Sequence, residues 1–224
     1  FADGKFFHSD GRARLLPVSW RPPAARTTRR YPFRLNTGRV RDQWHTMTRT
    51  GQSPRLSAHL AEPFLEIHPK DATASGIHPS DLVEVSSPTG ASILRARITD
   101  AVQKGQVFAP MHWTAETAPS ARIDALIAAA CDPVSGQPES KAGVVDLRRF
   151  DAGWYGFAIA QKPMHLTADY WALARTSHGF RAELAGRLQP DDWEAEARRL
   201  FDAPTAVLTT IIDARRGSAR IAAH

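Results

Sequence analysis

The sequence predicts a mainly β protein, with a compact β-barrel over residues 31–150 and a smaller α+β extension over residues 151–224. Two observations predict the barrel. Short runs of alternating apolar and polar residues recur along this region, and glycine, proline or aspartate turns separate them. Two short helical segments are inserted between these runs. After Phe150 the composition changes, because bulky aromatic residues become frequent.

Residues 1–30 are predicted to be the end of a preceding domain and a linker. The turn signal at residues 9–11 separates the apolar runs 6–8 and 12–18, and this pattern predicts a hairpin. Residues 22–30 contain two prolines and no periodicity, which is typical of a linker. The N-terminus has neither an initiator methionine nor the pattern of a signal peptide. We therefore expect a fragment of a longer chain, truncated within its C-terminal extension.

The elements of the barrel follow from periodicity and turn chemistry. Alternation or continuous apolarity predicts strands over residues 31–35, 64–68, 81–87, 92–99, 107–111 and 143–147. The first helical segment, residues 69–75, begins with Pro69 and is followed by Gly76. The second helical segment, residues 121–130, has helical spacing and many good helix formers. Two prolines and a glycine predict a loop over residues 132–138.

The extension is predicted to contain two amphipathic helices, residues 168–175 and 191–201, and a β-branched strand, residues 206–212. Its large aromatic residues are interpreted as core rather than as platforms for stacking bases. They are Trp154, Tyr155, Phe157, Tyr170, Trp171 and Trp193.

Composition limits the classes of partner. The chain has 224 residues, 42% hydrophobic, with a formal net charge of +6 and a pI near 10.0. Such a charge favours an anionic partner, and arginines concentrate in the early part of the chain. The single cysteine, Cys131, excludes an intrachain disulfide, a cysteine-rich zinc site and an iron–sulfur cluster built from this sequence, and fits a reducing compartment. The sequence contains no apolar run of about 18 residues, so it predicts no membrane-spanning helix.

Residues 35–51 concentrate the residue types that bind a phosphorylated cofactor. Thr37 and Gly38 follow a predicted strand, so backbone amides there can approach a ligand closely. Arg39, Arg41 and Arg49 supply forked donors suited to phosphate oxygens. Flat rings and hydroxyl groups in the same segment add further ways to contact such a ligand.

This segment, followed by residues 54–56, 68–72, 110–114 and 132–141, resembles the C-terminal molybdopterin-dinucleotide-binding domain of bacterial assimilatory nitrate reductases. The motifs occur in the family's order, and the likeness extends from about residue 15 to residue 147, then more loosely through the extension. The resemblance implies a six-stranded double-psi β-barrel. It also implies a cofactor in which two molybdopterin guanine dinucleotides hold one molybdenum, Mo-bis(molybdopterin guanine dinucleotide).

The resemblance also implies roles for particular residues. The residues that wrap the pterin and the diphosphate are Thr37, Gly38, Arg39, Val40, Arg41, Asp42, Gln43, Trp44, His45 and Thr46. Lys141 matches a lysine that contacts the cofactor, and Asp124 falls where relatives often carry asparagine. Met111, His112 and Trp113 are candidates for the lining of a nitrate funnel, with His112 preferred as a donor to an anion. The alternative for these three is a packed corner beneath the cofactor.

The implied reaction is the two-electron reduction of nitrate to nitrite by oxygen-atom transfer at molybdenum. The metal-ligating cysteine and a [4Fe-4S] cluster are expected in the N-terminal remainder, so no catalytic residue or metal ligand is assigned to this fragment, which is expected to be inactive alone. Expected partners are nitrate, that remainder, and an electron donor: ferredoxin, flavodoxin or an NADH-linked protein. The expected location is cytoplasmic, with neither nucleic acid nor membrane as a partner.

Two alternatives stay open. One is a formate dehydrogenase or a periplasmic nitrate reductase, which share the barrel and the dinucleotide. The other is a basic nucleic-acid-binding module that uses the arginines of residues 29–49 on phosphates. The second alternative predicts binding that weakens steeply with salt and tolerates a side chain at Gly38, whereas a pterin site does not.

Overall fold

The computed structural model describes residues 2–17, 19–188, 191, 207–213 and 217–223, the last two ranges by their backbone alone. Within these ranges the chain forms eleven β-strands and only short helices. The strands are β1 (Phe33–Gly38), β2 (Phe64–Ile67), β3 (Leu82–Ser86), β4 (Ala91–Ile98), β5 (Gln106–Pro110), β6 (Gly143–Arg149), β7 (Trp154–Ala160), β8 (Tyr170–Thr176), β9 (Gly179–Gly186), β10 (Val207–Asp213) and β11 (Gly217–Ala223). The α-helices are α1 (Pro54–Ser57) and α2 (Pro69–Ala74).

Strands β1 to β6 close into a barrel in the order β1-β5-β2-β4-β3-β6. The pairs β1–β5 and β2–β4 are parallel, and the other four pairs are antiparallel. Parallel neighbours require crossover connections, so strands distant in sequence come to lie side by side. The predicted six-stranded barrel with short inserted helices is confirmed, and its double-psi connectivity stays a prediction.

Side-chain alternation places the barrel's core. In β4, Ser92, Leu94 and Ala96 are buried while the residues between them are partly exposed, because successive side chains of a strand point to opposite faces. Leu35 and Leu65 are fully buried in the same core. The apolar positions that predicted these strands in the sequence therefore provide the side chains of the barrel core.

Helix α2 begins and ends as predicted. Pro69 occupies its first turn, where the missing N–H needs no partner. His68 caps the helix, its Nδ1 accepting from the Lys70 N–H at 3.2 Å. Gly76, just after the helix, adopts φ +64°, a conformation that glycine reaches without strain.

The hairpin predicted over residues 6–18 is wrong for the described residues of this segment, which form turns and bends. The Phe6 N–H donates to the Gly11 carbonyl at 2.9 Å, but no strand ladder follows. Phe7 and Leu15 are largely exposed, and an isolated two-stranded hairpin without a packed face is marginal in water. The predicted linker over residues 22–30 has no regular structure, as expected.

The helix predicted over residues 121–130 is also wrong, since this region contains only the 3-10 turns Pro119–Ala121 and Ile123–Leu126. Side chains of the β3–β4 hairpin donate hydrogen bonds to backbone carbonyl groups that a helix would use for its own hydrogen bonds. Ser92 Oγ donates to the Arg122 carbonyl at 2.6 Å, and Thr89 Oγ1 donates to the Ala125 carbonyl at 3.0 Å. Tertiary hydrogen bonds here override helix propensity.

The extension forms a second, antiparallel sheet in the order β11-β10-β7-β9-β8. The helix predicted over residues 168–175 is wrong, because Tyr170–Thr176 is strand β8, paired along its length with β9. The strand predicted over residues 206–212 is confirmed as β10. The helix predicted over residues 191–201 and the core position of Trp193 lie outside the described residues. Trp154 and Tyr170 are buried, as their interpretation as core predicted, whereas Tyr155, Phe157 and Trp171 are only half-buried.

A polar cluster links the barrel to the extension. Tyr170 Oη, on β8, donates to Glu62 Oε2 at 2.8 Å, and Arg95, on β4, donates to both Glu62 carboxylate oxygens at 3.1 Å. The domain boundaries at residues 30/31 and 150/151 stay predictions. No helix among the described residues is long and apolar enough to cross a membrane.

Candidate functional site

The candidate site begins where β1 ends. Thr37 is buried, and its Oγ1 donates to the Ser140 carbonyl at 2.7 Å. The Thr37 carbonyl accepts from Lys141 Nζ. These two contacts join β1 to the segment before β6, over a hundred positions away in sequence, and they place a cationic side chain beside the predicted cofactor segment.

Gly38 is the last residue of β1, and a side chain there would press against the Phe108 ring. A Cβ there would lie 2.8 Å from Phe108 Cε2 and 3.3 Å from Phe108 Cζ. The Gly38 carbonyl accepts from the Met111 N–H at 3.0 Å, continuing the parallel pairing of β1 with β5. Phe108 fills the space that a Cβ would need, and the backbone of β1 stays in close contact with β5.

The loop after β1, residues 39–46, is fastened to the end of β5 by one side chain. His112 Nε2 accepts from the Val40 N–H at 2.9 Å, and His112 Nδ1 lies 2.6 Å from the His45 carbonyl oxygen. Because a carbonyl only accepts, Nδ1 carries the proton and Nε2 the lone pair. His45 has φ +43°, which lets the loop turn back toward β5.

A second set of contacts fixes the middle of the loop. Gln43 is buried, and its Oε1 accepts from Thr50 Oγ1 at 2.7 Å. The same Thr50 oxygen accepts from the Trp44 N–H at 3.1 Å. The hydroxyl group thus bonds to two points of the loop at once, and it ties the loop to the short 3-10 turn Thr50–Gln52.

Asp42 faces the other side of this loop and meets two basic residues. Its Oδ1 accepts from Arg41 Nε at 2.9 Å, and its Oδ2 pairs with His59 Nδ1. The hydrogen bond from Arg41, followed by those to His59 and the charges of both partners, lowers the pKa of Asp42 below its ordinary value, with partial desolvation opposing the shift. Asp42 is therefore anionic at neutral pH and serves to hold Arg41 and His59.

The outward face of the loop presents groups that suit an anion. The Arg39 guanidinium lies 4.7 Å from the centroid of the Trp44 ring, which is 57% exposed. Within the described chain, the backbone N–H groups of Arg41, His45 and Thr46 meet no acceptor. Backbone amides without an acceptor and guanidinium groups are the donors that phosphate oxygens favour. The residues present therefore fit a phosphorylated ligand.

The three candidates for the substrate funnel separate into different environments. His112 is fully buried, and both of its ring nitrogens are bonded to the backbone of the loop, so its contacts do not support the prediction that it donates to an anion. Burial, followed by the charges of Arg39 and His45, lowers the pKa of His112 below its ordinary value of 6.5, against a raising contribution from its bond to the His45 carbonyl. Trp113 is buried and Met111 is 43% exposed. The packed corner that we gave as the alternative describes His112 and Trp113 better.

Lys141 and Asp124 differ in their placement. Lys141 lies against Thr37, its Nζ would be 3.8 Å from a Cβ at Gly38, and its contact with the cofactor stays a prediction. Asp124 is exposed in the 3-10 turn Ile123–Leu126, and the contact described for it, its carbonyl accepting from the Ile127 N–H at 3.1 Å, stays within that turn. The structure thus brings Lys141, but not Asp124, to the end of β1, next to the loop.

Sequence reasoning missed three residues that shape this site, namely Phe108, Ser140 and His59. Phe108 and Ser140 contact the end of β1, and His59 contacts Asp42 in the loop. All three come from segments outside residues 35–51, so periodicity within one element carries no signal for them. Among the described residues, no group of three or more histidine, cysteine, aspartate or glutamate side chains could hold a metal ion.

Comparison with known proteins identifies the barrel. Residues 33–144 match the family model of the molydopterin dinucleotide binding domain, a match that spans strands β1 to β5 and the start of β6. A nitrate reductase of Klebsiella oxytoca is 40% identical over 193 residues, 86% of this chain and 22% of that protein. The F420-dependent formate dehydrogenase subunit alpha of Methanocaldococcus jannaschii is 37% identical over 65% of this chain and 21% of that protein.

The assimilatory nitrate reductase catalytic subunit of Bacillus subtilis is 34% identical over 62% of this chain and 19% of that protein. The chain thus spans about a fifth of the length of these relatives. The matched region contains the barrel and the loop described above, and the relatives are molybdopterin oxidoreductases. This chain belongs to the molydopterin dinucleotide binding domain family.

Proposed function

We propose that this chain is the cofactor-binding, C-terminal portion of a molybdenum-dependent nitrate reductase, which converts nitrate to nitrite. The observation that carries the proposal is the similarity to the nitrate reductase of Klebsiella oxytoca, which extends over 86% of the chain and so includes part of the extension as well as the barrel. The relative in Bacillus subtilis, named as assimilatory, supports an assimilatory role.

The cofactor in this proposal is Mo-bis(molybdopterin guanine dinucleotide), held by residues 37–46 together with Lys141. Bound there, it supplies the two-electron reduction and the transfer of the oxygen atom. The chain's own residues bind and orient it: the guanidinium of Arg39 and the unpaired N–H groups of the loop attract diphosphate oxygens, and Gly38 lets the backbone approach. The [4Fe-4S] cluster belongs to the N-terminal remainder in this proposal.

A second candidate is a formate dehydrogenase, favoured by the 37% identity to the enzyme of Methanocaldococcus jannaschii. That similarity covers 65% of the chain, less than the nitrate reductase of Klebsiella oxytoca covers. The two candidates share the cofactor segment and differ in the substrate, so a substrate assay separates them.

The proposed partners of the whole protein are nitrate, the N-terminal remainder and an electron donor such as ferredoxin, flavodoxin or an NADH-linked protein. A cytoplasmic location completes the proposal. This location agrees with the proposed nitrate reductase, whose electrons would come from one of these donors.

The test uses the full-length parent protein. Molybdenum and guanine nucleotide are measured per mole of purified wild type, together with the oxidation of a reduced dye by nitrate and, separately, dye reduction by formate. Arg39→Ala and Gly38→Val are expected to lose cofactor and turnover, because one removes a phosphate donor and the other places a side chain against Phe108. Arg14→Ala, which removes an exposed arginine outside the barrel, is the control.

Each outcome separates the candidates. Cofactor with turnover of nitrate alone supports the proposal, and turnover of formate alone transfers it to the second candidate. A wild type that holds neither molybdenum nor nucleotide would contradict both. In that case nucleic-acid affinity that falls steeply with salt would support the basic-module alternative.

A further inference from the structure

His112 connects two points of the loop that lie five residues apart. At one ring nitrogen it accepts from the Val40 N–H, and at the other it donates to the His45 carbonyl. Between these two points lie residues 41–44, all four of which are expected to wrap the cofactor. The side chain is therefore a cross-link whose length and direction set the shape of the loop.

The cross-link depends on one protonation state. The neutral imidazole with its proton on Nδ1 has one donor and one acceptor, which match the carbonyl and the N–H that face it. A second proton, on Nε2, would turn the acceptor into a donor and direct it at the Val40 N–H. Two donors would then oppose each other in a fully buried position, where an unmade hydrogen bond is costly.

The surroundings of the ring also favour the neutral form. The charged and titratable groups that face it are Arg39 and His45, both on the loop, and both oppose a positive charge on His112. Its own strand end contributes Met111 and Trp113, which do not titrate; the Trp113 ring lies 6.4 Å from the imidazole between ring centroids. Burial acts in the same direction as these charges.

We propose that His112 is a positioning residue, which in its neutral form holds residues 40–45 in the shape that receives the cofactor and which releases them when it is protonated. The part of this proposal that concerns the cofactor rests on the proposed function above. The part that concerns the loop does not, because it follows from hydrogen bonds within the chain.

The proposal predicts a direction for the effect of pH. The folded protein disfavours protonated His112, so the pKa of this residue lies below its ordinary value of 6.5. The contribution of the cross-link is complete above about pH 6.5 and is lost progressively as the pH falls from there toward the lowered pKa. Protection of the Val40 N–H against hydrogen exchange should decline over the same interval.

Two variants separate a neutral cross-link from simple filling of space. His112→Gln keeps one donor and one acceptor on its amide and does not titrate. His112→Phe fills the pocket but leaves the Val40 N–H and the His45 carbonyl without partners. His178→Gln, at an exposed histidine in the turn between β8 and β9, is the matched control.

The first measurement is hydrogen exchange by mass spectrometry on peptides that cover residues 39–46 of the full-length protein, at several values from about pH 5 to about pH 8. We expect the wild type and His178→Gln to lose protection of this loop by roughly tenfold or more at the acid end. His112→Gln should keep a constant protection factor, and His112→Phe should show low protection at every pH. A loss of protection at acid pH in His112→Gln equal to that of the wild type would overturn the proposal, even if His112→Phe fails to fold.

The second measurement is the guanine nucleotide that stays bound after incubation at each pH. We expect the wild type to release it faster at acid pH and His112→Gln to release it at a constant rate. Nucleotide release independent of pH in both, beside a pH-dependent loop in the wild type, would refute the link to the cofactor. Absence of any nucleotide at neutral pH would refute the proposed function and leave the cross-link to be judged by hydrogen exchange.

Discussion

Gly38→Ala tests whether close contact between β1 and β5 shapes the site. The added Cβ would lie 2.8 Å from Phe108 Cε2, whereas unstrained carbon contacts lie at about 3.5 to 4.0 Å. The ring must therefore move by about 0.7 Å or more. Its neighbour Phe64, at 6.3 Å between ring centroids, restricts that movement on one side.

Overpacking of this kind costs about 1 to 3 kcal/mol. Expressed as an equilibrium between closed and locally opened β1, this is an increase in opening of about fivefold to about 150-fold. The assay is hydrogen exchange of peptides from β1 and from the following loop in the full-length protein, with nucleotide content measured on the same preparations. We expect faster exchange and lower nucleotide content in Gly38→Ala.

Gly143→Ala is the matched control, because a Cβ there would meet Leu35 Cβ at 3.4 Å, an ordinary contact. Adding Phe108→Leu to Gly38→Ala removes the edge of the ring and should restore much of the protection, which gives a coupling energy of about 1 kcal/mol or more between the two positions. Equal exchange in Gly38→Ala and Gly143→Ala, or no recovery in the double variant, would refute this reasoning.

Three further predictions concern contacts around the site and the extension. Thr37→Val should lower stability by about 1 kcal/mol because it leaves the Ser140 carbonyl without its donor, whereas Thr37→Ser should not; chemical denaturation compares them. Tyr170→Phe should loosen the extension sheet by about 1 kcal/mol, since the Glu62 carboxylate loses a donor; exchange in β8 and β9 measures this. The turn after Asp132 should lose protection against hydrogen exchange as the pH falls below 3.8. Hydrogen bonds from Ser135 and Val134 lower the pKa of the Asp132 carboxyl, and protonation of the carboxylate weakens those bonds; Asp132→Asn should remove the pH dependence.

The local sequence pattern was sufficient to predict some of the elements. Alternation placed β2 and the β3–β4 hairpin, and the proline and glycine at its ends placed α2. Composition alone predicted that residues 35–51 suit a phosphorylated ligand, because arginine, threonine, glycine and aromatic side chains carry that chemistry. The narrower bounds 37–46 came from the family resemblance. The order of motifs then named the family, which the comparison confirmed.

Three elements were decided by tertiary contacts. Residues 121–130 are 3-10 turns and loop, because Ser92 and Thr89 donate to their carbonyls. Residues 170–176 are a strand, because β9 offers a complete set of backbone partners. The apolar residues near the N-terminus form no hairpin, because the turns around them offer no sheet face on which to pack.

The shape of the candidate site was likewise decided only by the fold. His112 lies 72 residues after Val40 in sequence, and Lys141 lies 104 residues after Thr37. The parallel pairing of β1 with β5 brings His112 to the loop, and the antiparallel pairing of β1 with β6 brings Lys141 to the end of β1. The sequence shows which donors and charges a segment contains. The register between distant strands determines which groups they contact, because hydrogen bonds depend on positions in space rather than on separation along the chain.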